Sequence, residues 1–182
     1  MILDKIIVDE EVFLSPVQQG DEDALVEHLQ DKEIHDNTCV IPFPHTYQHA
    51  QEWIETVQKR IKERGITLDW AIRISEEKLI GCISFHGHNL SCMEVVKHTD
   101  EIGYWLARPY RGKGITTKVV KKVCEIGFEQ LGLVRIEAPV FAFNDASLKV
   151  LEKVGFQLEG IQRKCYFKNG KFIDGKMYAL VK

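Results

Sequence analysis

The stretch Glu101-Ile102-Gly103-Tyr104-Trp105-Leu106-Ala107-Arg108-Pro109-Tyr110-Arg111-Gly112-Lys113-Gly114-Ile115-Thr116-Thr117 decides how the rest of the chain is read. Ile102, Tyr104 and Leu106 alternate with Gly103 and Trp105, which predicts a pleated, half-buried strand. Pro109 has no N–H and stops regular hydrogen bonding. The basic turn Arg111-Gly112-Lys113-Gly114 follows, and an amphipathic helix opens directly after it. First-turn amides lack intrahelical partners and carry the positive end of the helix dipole, so this junction is an anion site. Glycines at 112 and 114 let the backbone approach a phosphate, and Arg111 and Lys113 add formal charge.

Two common phosphate motifs fail on spacing. A Walker A loop needs glycine where Ala107 stands and Ser or Thr where Gly114 stands. A dinucleotide fingerprint needs a third glycine where Thr117 stands. What remains is R-x-x-G-x-T, from Arg111, Gly114 and Thr116. It resembles the pyrophosphate motif Q/R-x-x-G-x-G/A of the GCN5-related N-acetyltransferases (GNAT), with Thr116 departing at the last position. Asn144-Asp145-Ala146-Ser147-Leu148-Lys149-Val150-Leu151-Glu152-Lys153-Val154-Gly155-Phe156 is similar to the family's later N-x-x-S motif. Glu101 to Leu106, the pair Glu159-Gly160 with Arg163, and Asn169 to Asp174 resemble the ribosomal-protein N-terminal acetyltransferase branch. The resemblance covers Trp70 to Lys182 well and the first third in outline.

Composition sets the frame. A chain of 182 residues fits one domain, 1–182. A net charge of −3 and a pI near 6.2 argue against a broad basic nucleic-acid surface. No apolar run reaches a membrane span, and the N-terminus lacks the pattern of a secretory signal. Five cysteines without a C-x-x-C pair fit free thiols in a reducing cytoplasm.

Val12 to Pro16 predicts a first strand, and Asp21 a cap for a helix through Leu29. Residues 37–47 read as a loop, and His49 to Arg64 as a helix. Trp70–Ile74 and Leu79–Phe85 form a hairpin, and Leu90–Thr99 reads as a loop. A helix from Gly114 to Leu131 presents Ile115, Val119, Val120, Val123 and Ile126 on one stripe. Arg135–Val140 is a strand, and Asn144 caps a helix ending before Gly155. Gln157–Phe167 and Lys171–Val181 close the chain around an Asn169-Gly170 turn. Trp53, Trp70, Phe85 and Phe128 read as core aromatics. The order predicts an α/β (α+β) fold on a mixed, mostly antiparallel sheet. The resemblance makes that sheet six- to seven-stranded, with helices on both faces and a splay at the central strands.

The resemblance implies transfer of acetyl from acetyl-CoA to a primary amine by direct attack in a ternary complex. Arg111, Gly112, Lys113, Gly114, Ile115, Thr116 and Thr117 then hold the pyrophosphate. The pantetheine arm lies along Tyr104, Trp105 and Leu106, with a backbone N–H near Leu106 as oxyanion donor. The amine needs a base, because an α-amino group has a pKa of about 8 and a lysine about 10.4. Glu101 is the first candidate, directly or through water, and Glu159 the second. Each is otherwise a solvated strand-end carboxylate. Where many family members carry a tyrosine acid, Leu151 stands, so Ser147 and Asn144 are the candidates near the cofactor sulfur.

Lys118 could reach a phosphate or simply face solvent. His86 and His88 share a strand face but lack a fixed zinc spacing, and they read as exposed strand-end residues with no metal expected. The acceptor implied is a protein N-terminus, with Ile41 to His45 shaping its side of the site. A small amine such as a polyamine, amino sugar or antibiotic is the alternative, and a silent acyl-CoA-binding module is the rival of another class. Neither a nucleic acid nor a membrane is expected as partner, and a homodimer is compatible with the sequence.

Overall fold

A computed structural model describes residues 5–87 and 94–182. The expected positions of His88 and Cys92, and the first part of the Leu90–Thr99 loop, lie outside the described residues. The strands are β1 (Ile6–Ile7), β2 (Phe13–Pro16), β3 (Asp69–Ser75), β4 (Lys78–Phe85), β5 (Thr99–Leu106), β6 (Arg135–Phe141), β7 (Gln157–Lys168) and β8 (Lys171–Val181). The helices are α1 (Glu22–Leu29), α2 (Lys32–Asn37), α3 (Tyr47–Arg64), α4 (Ile115–Glu129) and α5 (Asp145–Val154). The eight strands follow the order β1-β2-β3-β4-β5-β6-β8-β7. The mixed, mostly antiparallel expectation holds, with the two-residue β1 as the short addition at one end.

The chain forms two compact units, 1–84 with 104–119, and 85–103 with 120–182. In the first unit, β1, β2, β3 and β4 pair antiparallel in sequence. The core packs Leu25 and Leu29 of α1, Ile34 of α2 and Ala50, Ile54 and Val57 of α3 with Ala71, Leu79 and Cys82, and Trp53 and Trp105 join it partly buried. Asp21 stands at the N-terminus of α1 but makes no side-chain cap. Its carboxylate instead takes Arg73 Nη2 at 2.7 Å, and both side chains are buried. An unpaired buried guanidinium would cost more than a cap contributes, so the ion pair wins. Sequence reading missed α2, whose N-cap is Asp31, and placed α3 two residues late, since Thr46 and His49 form its capping box.

In the second unit, β6 and β8 pair antiparallel along all of β6, and β7 and β8 form a hairpin. Asn169 and Gly170 have φ of 50° and 75°, as the predicted turn requires. β7 carries a register shift between Gln162 and Tyr166, where Lys164 has φ 52° and donates its N–H to Asp174 Oδ1 at 2.7 Å. β5 runs parallel to β6, from Thr99 opposite Arg135 to Glu101 opposite Glu137, and the ladder ends there. Trp70 and Phe85 are buried as expected, whereas Phe128 is only half-buried.

Candidate active site

In the first unit, strand, turn and helix follow one another as the sequence predicts. β5 ends at Leu106, one short 3-10 turn covers Arg108–Tyr110, and α4 starts at Ile115. Gly112 and Gly114 have φ of 77° and 78°, a left-handed region that costs other residues about 1–2 kcal/mol. A Cβ at either would meet nothing within 4 Å, so the backbone there opens onto free space. The Lys118 N–H bonds to the Gly114 carbonyl at 3.2 Å, which leaves the amides of Ile115, Thr116 and Thr117 ahead of the helical ladder. These residues fit a diphosphate: an open glycine turn feeding the first amides of a helix.

The charges around that turn are distributed differently from the expectation. Arg111 folds back: Nε donates to the Leu106 carbonyl at 2.9 Å, Nη2 to Asp31 at 3.0 Å, and Nη1 lies 3.0 Å from Glu33. Arg108 joins the same carboxylates at 2.9 and 3.1 Å. Two cations and two anions cancel, so Arg111 contributes structure here rather than surplus positive charge. The Arg108 hydrogen bond, opposed by burial, holds the Asp31 carboxyl below the usual carboxylate range. Lys118 is paired with Asp9 at 2.7 Å. Lys113 lies 5.7 Å from the centroid of the Tyr110 ring, on the exposed turn, and Lys78 lies 5.9 Å from that centroid.

Tyr104, Trp105 and Leu106 close β5. The Ala107 N–H bonds to the Ile80 carbonyl of β4 at 2.8 Å, and a Cβ on Gly81 would sit 2.4 Å from the Trp105 carbonyl. Backbone groups alternate along a strand, so the N–H groups of Tyr104 and Leu106 point away from β4.

In the second unit, Gly103, two residues after Glu101, makes room for the His86 ring. The Glu101 carboxylate lies 2.9 Å from Nδ1 of His86, with the two side chains 24% and 46% exposed. His86 Nε2 would be 3.3 Å from a Cβ on Gly103. Buried Asp100 clamps both backbones, accepting the N–H of Gly87 at 3.0 Å and of Glu101 at 2.8 Å. Sequence reading singled out Glu101 and treated His86 separately. Only the spacing of the two strands brings them together.

Glu159 faces a different task. Both its oxygens are taken by Arg135, at 2.7 and 2.5 Å, and Arg135 Nε also binds Glu137 at 2.7 Å. The Arg135 hydrogen bond holds the Glu159 carboxyl down, so the geometry gives it an ion pair. Asn144 caps α5 as expected, its Oδ1 accepting the Ser147 N–H at 3.1 Å. Leu151 is fully buried, which is why an apolar residue stands there. Four cysteines are free thiols among the described residues, Cys39 and Cys165 exposed, Cys82 and Cys124 buried. Burial pushes the Cys124 thiol up to about 12. Among the described residues no group of three or more His, Cys, Asp or Glu could hold a metal, and no helix is long and apolar enough to cross a membrane.

The profile of the acetyltransferase (GNAT) domain matches residues 11–157. The uncharacterized N-acetyltransferase YoaA of Bacillus subtilis is 38% identical over 137 residues, covering 74% of this chain and 73% of YoaA. The ribosomal-protein-serine acetyltransferase of Escherichia coli is 29% identical over 141 residues, covering 76% of this chain and 75% of its own. Among solved structures, the alpha-N-protein acetyltransferase RimL with coenzyme A superimposes with a TM-score of 0.82 at 19% identity, covering 97% of each chain. The self-immunity acetyltransferase MccE with acetyl-CoA and AMP gives a TM-score of 0.79 at 23% identity, covering 96% of this chain and 94% of its own. At those identities the structures speak for the fold. With the profile spanning most of the sequence and a relative above a third identical, this chain belongs to the GNAT family of N-acetyltransferases.

Proposed function

We infer that this acetyl-CoA-dependent acyltransferase, a single domain over 1–182, delivers acetyl to a protein N-terminal α-amine of the ribosomal-protein type. The observation that carries the cofactor half is the junction from β5 to α4. Left-handed Gly112 and Gly114 open onto free space ahead of helical amides, and Lys113 stands on the exposed turn. In this reading, Arg111 to Thr117 hold the pyrophosphate through backbone amides, and Ser147 and Asn144 lie near the sulfur. The pantetheine pairs with the Tyr104–Leu106 backbone on the side turned from β4, beyond the point where the parallel ladder stops at Glu101. Glu101 belongs to the proton-removing apparatus, and a backbone N–H of the Tyr104–Leu106 segment takes the oxyanion, a contribution of about 3 kcal/mol.

The acceptor assignment is supported by the names of relatives, a ribosomal-protein-serine acetyltransferase among the sequences and RimL among the structures. A cytoplasmic setting goes with such a substrate.

The test offers acetyl-CoA with short peptides bearing free N-termini, the same peptides blocked, polyamines and aminoglycosides, and follows CoA thiol release. Turnover on free N-termini that blocking abolishes supports the reading. Turnover confined to the small amines overturns the acceptor, and the absence of measurable acetyl-CoA binding overturns the cofactor site.

A further inference from the structure

We propose that His86, held by Glu101, is the residue that takes the proton from the attacking amine, with Glu101 as its positioning partner. The proposal rests on the acetyl-transfer reading above and names the proton carrier within it. Three observations converge. A carboxylate 2.9 Å from Nδ1 fixes that nitrogen as the N–H donor, which makes Nε2 the basic atom. Gly103 gives the ring its place, because any side chain there would bring its Cβ to 3.3 Å from Nε2. Asp100, with no exposed surface, accepts backbone N–H groups from Gly87 and Glu101, so one buried carboxylate holds the segments bearing both members of the pair. A nucleophile's base oriented by a third group is the arrangement that makes an imidazole an efficient proton acceptor near neutral pH.

The chemistry balances. An incoming ammonium gives one proton to His86 Nε2, leaving a neutral amine and an imidazolium stabilised by Glu101. The nitrogen lone pair forms the C–N bond to the thioester carbonyl carbon. The C–S bond breaks as the second proton from nitrogen reaches the departing thiolate. The products are an amide and the CoA thiol, and the half-exposed imidazolium returns its proton to solvent. As sole proton acceptor, a carboxylate is in general about six pH units less basic than a lysine and more than three below an α-amine; an imidazole narrows each gap by about two units.

The experiment has two arms. In the first, the His86 ring nitrogens of the wild-type protein and of E101Q are observed by nitrogen-15 NMR at neutral pH, with no acceptor present. The proposal expects the Nδ1–H tautomer in the wild type and a shift toward the mixed population of free imidazole in E101Q. An Nε2–H ring in the wild type overturns it. In the second, H86Q and wild type are compared on any amine that turns over. The expected result is a fall in kcat of about a hundredfold with acetyl-CoA affinity unchanged, and partial rescue of H86A by added imidazole. A kcat within about threefold of wild type overturns the proposal. The first arm needs no acceptor, so a wrong acceptor assignment and a wrong proton carrier give different results.

Discussion

Arg111 and Asp31, eighty residues apart in sequence, meet at 3.0 Å, and the same guanidinium reaches the Leu106 carbonyl at 2.9 Å. One residue of the glycine turn before α4 is thereby tied to the N-cap of α2. Asp31 also accepts the Glu33 N–H, so a single carboxylate caps a helix and anchors the turn. D31A removes both, and we expect a loss of about 1–2 kcal/mol from the cap, read as a lower urea midpoint. Because the folded carboxyl lies below its ordinary 3.8, its contribution is full above about pH 4 and fades as pH falls below that. D31N therefore flattens the dependence of stability on pH on the acid side of pH 4.

Lys113 and Arg111 separate in their effects on the cofactor. With Arg111 balanced by Asp31 and Glu33, Lys113 is the cation of this turn with no ion pair among the described residues. K113A weakens acetyl-CoA binding about three- to tenfold at low salt, and the difference shrinks as ionic strength rises. R111A lowers thermal stability by a larger margin than K113A does. Calorimetric titration at two salt concentrations, with melting curves, checks both.

Gly114 carries a left-handed φ of 78° at the start of α4. G114A costs about 1–2 kcal/mol of strain and turns the first amides of α4 away from the ligand. Acetyl-CoA affinity falls at least about tenfold, while a turn such as Asn169-Gly170 tolerates G170N with little change in binding. Equilibrium binding of the cofactor measures the contrast.

His45 gives the fold an acid sensitivity. The residue is 6% exposed, and neither ring nitrogen has a hydrogen-bond partner among the described residues. Desolvation, and then the neighbouring His49 ring, push its pKa below the ordinary 6.5. The folded state thus prefers the neutral ring, and stability is complete above about pH 6.5 and declines as pH falls through the window below it. H45F removes that decline. Melting temperatures at about pH 7.5 and 5.5 converge for the variant and diverge for the wild type.

Glu159 and Glu101 answer differently to the same substitution. E159Q breaks a bidentate pair with Arg135 on the surface, and kcat stays within about threefold of wild type. E101Q lowers kcat by about ten- to a hundredfold. Steady-state kinetics on one acceptor is sufficient to separate them.

The sequence made the β5–α4 junction readable because every signal there is local: alternation, a proline stop, two glycines and an apolar stripe. The Asn144 cap and the Asn169-Gly170 turn are local in the same way. The six-residue α2 escaped because only Ile34 is buried, which leaves no apolar period to see. Asp21 looked like a cap and became an ion-pair partner because Arg73 lies far along the chain and arrives only with β3. Arg111 with Asp31, and His86 with Glu101, are likewise products of strand and helix placement, to which spacing along the sequence gives no clue. The end of the β5–β6 ladder is of the same kind, since nothing in Glu101 or Ile102 alone forbids another pair.

The irregular step in β7 has a bearing on how the molecule behaves in a crowd. β7 is the outermost strand of its sheet and runs from Gln157 to Lys168, long enough to invite another chain to add to its open side. The left-handed Lys164, tethered through its N–H to Asp174, breaks that edge into two short stretches, and Arg163, Lys164 and Lys168 place positive charge along it. An interrupted, cationic border is a poor template for intermolecular β-pairing. The exposed Ile161 and Phe167 on the same strand can therefore remain in water without seeding aggregates.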